Sequence, residues 1–217
     1  MRNSAVVFDA SAESYDRWYD TPKGKALFEA EVRCLRCAQP DFRGNWLEAG
    51  VGTGRFAGIL GIAAGVDPAP NMLVIAAARK ISVQAARAEA LPYRSGSLDG
   101  VLMALTLCFL DDAGAALEEC ARVLKPEKGK LVLGMVPADS PWGRQYQREA
   151  EAGHPFYSHA RFYTVEAVIA MTGKAGLKLE KTCSSLFGRS DNAPEALAEC
   201  REGRFADAGF AALAFST

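Results

Sequence analysis

Trp46-Leu-Glu-Ala-Gly50-Val-Gly52-Thr-Gly54-Arg-Phe-Ala57 reads as the end of an apolar strand that passes through three alternating glycines into a helix. Without a Cβ, Gly50, Gly52 and Gly54 can take positive φ and let ligand atoms approach the backbone closely. Gly52-x-Gly54-x-x-Ala57 also satisfies the looser form of the dinucleotide fingerprint. A dinucleotide lays a doubly negative pyrophosphate on such a turn, and a carboxylate at Glu48 repels it. An amino-acid ammonium or a sulfonium is attracted instead.

Beyond the turn, Gly61-Ile-Ala-Ala-Gly-Val-Asp67 reads as a second strand ending in an acid, which completes a βαβ unit. An acid at that tip accepts hydrogen bonds from both hydroxyls of a ribose; the plainer alternative is a solvated turn residue before Pro68. Outward from this unit, strands are expected near residues 45–49, 62–67, 82–86, 98–105, 130–136, 177–185 and 208–215. Helices begin near Gly54, Pro70, Ala113 and Val165. This alternation predicts an α/β fold, a doubly wound Rossmann-like sheet with helices on both faces. The helix after Asp111-Asp112 is the clearest, with Ala113, Ala116, Leu117, Cys120, Val123 and Leu124 at helical spacing and Lys125-Pro126 at its end.

With 217 residues, 49% of them hydrophobic, the chain can bury one sizeable core and is most simply a single domain, 1–217. A net charge of −1 without a basic stripe argues against nucleic acid as a partner. No apolar run suits a signal peptide or a membrane span, so a cytoplasmic protein with no membrane partner is expected. The six cysteines are scattered, and reduced thiols are the default. Cys34-x-x-Cys37 invites a zinc or redox reading, but no second pair follows at metal spacing. Phe28, Val32 and Leu35 make the segment an internal helix, so the thiols read as packing and no metal is expected.

Glu48-x-Gly50-x-Gly52-x-Gly54 followed by Gly65-Val-Asp67-Pro-Ala-Pro-Asn-Met-Leu73 resembles the class I S-adenosylmethionine-dependent methyltransferases, of the small type 11-like kind. Arg87-Ala-Glu-Ala-Leu-Pro-Tyr93, Gly96-Ser-Leu-Asp-Gly-Val101, Ala121-Arg-Val-Leu-Lys-Pro126 and Gly129-Lys-Leu-Val-Leu133 follow in that family's order. The resemblance implies a seven-stranded, mostly parallel sheet whose last strand enters antiparallel. It also implies S-adenosylmethionine as methyl donor and S-adenosylhomocysteine as product. In such a site Glu48 and the backbone of Gly50, Gly52 and Gly54 face the methionine part of the cofactor, and Asp67 the ribose. Pro68 and Met72 form an adenine face, Ala88 and Glu89 recognise adenine, and the fourth strand ends near Leu105 against the reactive methyl. Arg87 stands where relatives often carry an acid, which shifts the adenine contact to Glu89 or removes it. Neither a Pro-Pro-aromatic step nor a Pro-Cys nucleophile occurs at Ala104-Leu-Thr-Leu-Cys-Phe109, so Cys108 reads as core.

Two segments are left to cover a substrate: an N-terminal helical lid, about 10–38, and an insertion, about 137–163. Ser14-Tyr15-Asp-Arg-Trp18-Tyr19 resembles the helix that closes over the cofactor in small family members. Tyr15 is the expected lid contact, and Trp18 and Tyr19 are candidates for the substrate. The insertion holds both histidines of the chain. His154 or His159 is a candidate base for an attacking oxygen, sulfur or nitrogen, and both also read as surface or packing residues. Trp142, Tyr146, Tyr157 and Arg161 are candidate substrate contacts. Arg144, Arg148 and Arg161 suit an acidic substrate but read more readily as solvated charges. The expected reaction is in-line methyl transfer to a small-molecule O, N, S or C nucleophile by a monomer or homodimer. An NAD(P)-dependent reductase and a non-catalytic cofactor-binding relative are the alternatives.

Overall fold

The computed structural model describes residues 4–188 and 199–217. Three helices come first: α1 (Ser4–Ala10), α2 (Ala12–Trp18) and α3 (Pro22–Ala38). The alternation then runs β1 (Trp46–Ala49), α4 (Arg55–Leu60), β2 (Ala64–Asp67), α5 (Pro70–Ala78), β3 (Ser82–Ala85), β4 (Gly100–Ala104), α6 (Ala113–Val123), β5 (Lys130–Met135). It closes with α7 (Pro141–Glu151), α8 (Val165–Lys174), β6 (Lys178–Phe187), β7 (Cys200–Glu202) and β8 (Ala208–Ser216). The strands form one sheet in the order β3-β2-β1-β4-β5-β8-β6-β7. The first five are parallel, and β8 runs antiparallel to both of its neighbours. This is the doubly wound sheet expected, with eight strands among the described residues rather than seven. The additional one is β7, a three-residue edge strand paired with Cys183–Ser185. A run that short shows no alternation by which to read it.

Side chains alternate across each strand, so β1 sends Leu47 and Ala49 to one face and Trp46 and Glu48 to the other. On the Trp46 face, α3, α4, α5 and α7 enclose Leu27, Leu35, Phe56, Leu73, Trp142 and Phe210. On the opposite face, α6 and α8 bury Leu117, Val123, Val168, Leu131 and Phe215. Asp112 caps α6, its carboxylate accepting the Ala115 N–H at 3.0 Å, so the acids before that helix work as the sequence suggests.

Ion pairs fasten α2 over the glycine turn. The Asp16 carboxylate accepts from Arg55 at 2.8 Å and from Arg79 at 2.8 Å. Arg79 also donates to the Thr53 carbonyl at 2.7 Å, and Arg55 reaches Asp20 at 3.0 Å. Burial pushes the Asp16 carboxyl up, but hydrogen bonds from Arg55, Arg79 and Thr53 outweigh it and hold the pKa at about 2. Because this folded value lies below the ordinary 3.8, the clamp contributes its full stability above pH 3.8 and loses it as pH falls through about 2. Asp16→Asn is therefore expected to lower the melting temperature near neutrality. The difference from wild type should shrink steeply in thermal melts as pH falls from about 4 towards 2, and a difference as large at pH 2 as near neutrality would refute the assignment.

Cys34 and Cys37 pack against the core on the α3 side, as their reading as packing thiols expects. A second pair of thiols meets them there, from strands too distant in sequence to show metal spacing: Cys183 on β6 and Cys200 on β7.

Candidate active site

Strand order reverses between β1 and β4, which opens a crevice at their carboxyl ends. A cavity of about 520 Å³ lies there, floored by Gly50, Gly52, Asp67, Ala104, Leu105 and Met135. Phe8, Tyr15 and Tyr19 cover it from the N-terminal helices, and Tyr146, His154, Phe156 and Tyr157 from the segment that includes α7. Its size falls within the roughly 300–1,000 Å³ of small-molecule sites.

Gly50 and Gly52 carry φ of +77° and +51°. A Cβ on Gly50 would stand 2.2 Å from the Thr106 side chain, whereas one on Gly52 would meet nothing within 4 Å. Gly50 thus lets β1 pass close to the end of β4, and Gly52 leaves ligand space. Gly54, at φ +80°, is not part of the wall; its missing Cβ makes room for Ile81 and Ala76. Asp67 ties the floor together by accepting the Gly52 N–H and the Ala69 N–H, each at 2.9 Å. Burial raises its pKa, and these two backbone bonds oppose the shift. Pro68, Met72, Ala88 and Glu89 line the wall beside it.

Several candidates stand elsewhere than expected. Glu48 is 1% exposed and outside the wall, because strand alternation turns its side chain beneath the turn. There its carboxyl accepts the Ala57 N–H of α4 at 2.8 Å, so it braces the turn rather than lining the cavity. Burial raises its pKa well above the ordinary carboxyl value, and the Ala57 N–H opposes the shift. Glu89 lines the cavity, but its Oε1 accepts the Asp111 and Asp112 N–H groups at 3.1 and 3.3 Å. Arg87 pairs with Asp111 at 2.7 Å.

Trp142 is not a substrate contact: it is 1% exposed in the α3-side core, and its indole N–H donates to the Gly188 carbonyl at 3.0 Å. Arg161 has an exposed side chain outside the wall, its backbone N–H bonded to the Cys108 carbonyl at 2.7 Å. His159 closes the turn Tyr157–His159 and also lies outside the wall. Of the two histidines only His154 reaches the cavity, and it is stacked on Tyr157 with ring centroids 4.2 Å apart. Its Nδ1 accepts the Phe156 and Tyr157 N–H groups at 3.3 Å, so the lone pair a base needs is already engaged. Cys108 belongs to the wall rather than the core, and burial pushes its thiol up to about 12, which leaves it protonated and inert.

The family model for a methyltransferase domain matches residues 47–133, from β1 through most of β5. An uncharacterised protein of Mycobacterium tuberculosis is 38% identical over 211 residues, 97% of this chain and 73% of its own. One from Methanocaldococcus jannaschii is 35% identical over 95% of this chain and 97% of its own. Among solved structures, an S-adenosylmethionine-dependent methyltransferase from Thermotoga maritima, described as a "possible histamine N-methyltransferase", is 33% identical. It aligns over 99% of both chains with a TM-score of 0.90. The chain is a class I S-adenosylmethionine-dependent methyltransferase. The nicotinamide and non-catalytic alternatives lapse with that membership.

The cavity of the methyltransferase also holds a residue the sequence reading passed over. Glu31, on α3, is 7% exposed, lines the cavity and has no hydrogen-bond partner among the described residues. Burial raises its pKa to about 8. When ionised, it raises the pKa values of the phenols of Tyr15, Tyr19, Tyr146 and Tyr157. Tyr15 and Tyr19 share a hydroxyl–hydroxyl bond of 3.0 Å, and Tyr146 stacks on Tyr157 with centroids 4.4 Å apart. Trp18, 41% exposed, stands at the rim, and Glu149 adds a further carboxyl to the wall.

Proposed function

We propose that this methyltransferase moves the methyl group of S-adenosylmethionine to the nitrogen of a small amine held between Glu31 and the four tyrosines. The observation that carries the reading is Glu31, a buried carboxyl facing a ligand-sized cavity with no hydrogen-bond partner among the described residues. Such a group is destabilising unless a ligand satisfies it, and an ammonium among aromatic rings is the ligand it fits. The description of the Thermotoga maritima relative agrees with it.

On this reading the open space at Gly52 and the carboxyl of Asp67 fit the cofactor, with Gly50 and Leu105 on the floor and Pro68, Met72, Ala88 and Glu89 beside the adenine. Bound there, S-adenosylmethionine supplies an electrophilic methyl on a sulfonium that leaves as a neutral thioether. Glu31 takes the ammonium proton on its carboxylate oxygen, which frees the nitrogen lone pair for attack. Tyr15, Tyr19, Tyr146 and Tyr157 orient the amine and keep water out, so proximity supplies much of the acceleration. The N-terminal helices, about 10–38, serve as the lid, and the segment about 137–163 as the second cover. We place the reaction in the cytoplasm.

The test is incubation with methyl-labelled S-adenosylmethionine and matched panels of small amines, alcohols, thiols and carboxylates. Transfer to amines is expected, and transfer confined to another panel would overturn the reading. Asp67→Ala is expected to weaken S-adenosylhomocysteine binding by about 1–3 kcal/mol in calorimetry, by stranding ribose hydroxyls. Unchanged affinity would refute the ribose assignment.

A further inference from the structure

Four of the six cysteines converge on the face of the sheet that α3 covers. Cys34 and Cys37 are one turn apart near the end of α3 and so share a helix face. Cys183 and Cys200 are diagonal neighbours on one face of the β6–β7 pair, because Cys183 pairs with Glu202 and Ser185 with Cys200. The sulfurs of Cys37, Cys183 and Cys200 all lie within 4.8 Å of one another, and Cys37 and Cys183 approach to 2.9 Å. The Cys200 thiol is also in hydrogen-bonding reach of Cys34. We propose that Cys34, Cys37, Cys183 and Cys200 form a tetrahedral tetrathiolate site for one zinc ion.

Zinc–sulfur bonds of about 2.3 Å set sulfurs about 3.8 Å apart in a tetrahedron, a spacing bracketed by the separations among Cys37, Cys183 and Cys200; Cys34, which stands outside that mutually close trio, has to draw in as the fourth ligand. Binding breaks four S–H bonds, forms four Zn–S bonds and releases four protons to solvent, with no change of oxidation state. The resulting double negative charge has a neighbour to offset it: Lys181, paired with Glu202 at 3.0 Å, acts on the Cys37 and Cys183 sulfurs. A second observation points the same way. The Ser185 hydroxyl, directly opposite Cys200 in register, is buried without a hydrogen-bond partner among the described residues. A thiolate sulfur is an acceptor for such an orphaned O–H, and partners of this kind are usual around metal ligands. The ion would staple the short edge strand β7 and β6 to α3, the helix that carries Glu31.

The test begins with the full chain, purified under reducing conditions without chelator. One zinc per chain is expected by elemental mass spectrometry. Cobalt(II) added to zinc-stripped protein should give the visible bands of tetrahedral cobalt with a thiolate charge-transfer band. Cys37→Ser and Cys200→Ser are expected to lower zinc retention against a competing chelator by more than about tenfold. Cys120→Ala, outside the cluster, should retain the ion. The wild-type measurements stand even if a serine variant fails to fold. Iron in place of zinc, a chain lighter by the two hydrogens of a disulfide, or six free thiols that bind neither zinc nor cobalt would each overturn the proposal.

Discussion

Exchanging Glu31 for Gln is expected to lower kcat/KM for an amine acceptor by about 10²–10⁴-fold, the range associated with a positioned proton acceptor. Affinity for S-adenosylhomocysteine should change by less than about twofold, because the substitution lies on the acceptor side and distant sites are nearly independent. The pH profile carries the finer test. Below its folded pKa of about 8, Glu31 is a neutral acid that cannot take a proton, so wild-type kcat/KM with an ammonium substrate should rise as pH approaches 8. That limb should disappear in Glu31→Gln. A loss of rate that left the limb in place would show Glu31 to be structural. Linkage gives an independent check. The folded chain retains a proton that the unfolded chain gives up near 4.5, so wild-type stability declines from about pH 4.5 to about 8. The Gln variant should lose the part of that decline owed to Glu31, while the parts owed to Glu48 and Asp67, also raised by burial, remain.

Gly50→Ala and Gly52→Ala are expected to fail in opposite ways, although only one residue separates them. At Gly50 the new methyl collides with Thr106 and φ is left-handed, so about 2–4 kcal/mol is lost and Tm falls by roughly 5–15 °C. At Gly52 the methyl meets no protein atom within 4 Å, which leaves only the backbone cost of about 1 kcal/mol and a Tm change of roughly 2–4 °C. The same methyl enters the cavity, so Gly52→Ala should weaken S-adenosylhomocysteine by at least about tenfold. Calorimetry and thermal melts on the two variants separate fold from site. Equal Tm losses would refute the division of labour.

The sheet was legible because its parallel strands are apolar runs between glycine turns, and periodicity reports burial. The floor of the site was legible for a related reason: Gly52 and Asp67 lie at strand ends, where topology alone brings them together. What escaped notice depends on direction and on contacts distant in sequence. Glu48 has the right residue type at the right place, but alternation aims it beneath the turn. Trp142 looked like a cover residue because aromatics mark both covers and cores. Glu31 did leave a trace: Leu27, Glu31 and Leu35 share a buried stripe of α3, and an acid on an apolar face calls for a partner. Of the four thiols only the Cys34-x-x-Cys37 half left one, since well over a hundred residues separate Cys37 from Cys183.

The position of β8 bears on how the chain is made. Residues 208–216 lie between β5 and β6, so a strand synthesised after both of them joins the two parts of the sheet. Until it emerges, β5 is an open edge, and β6 with β7 has no backbone hydrogen bonds to the rest. A nascent chain can complete its cofactor half early while two unpaired strand edges stay exposed, the kind of surface on which chaperones act and aggregates start.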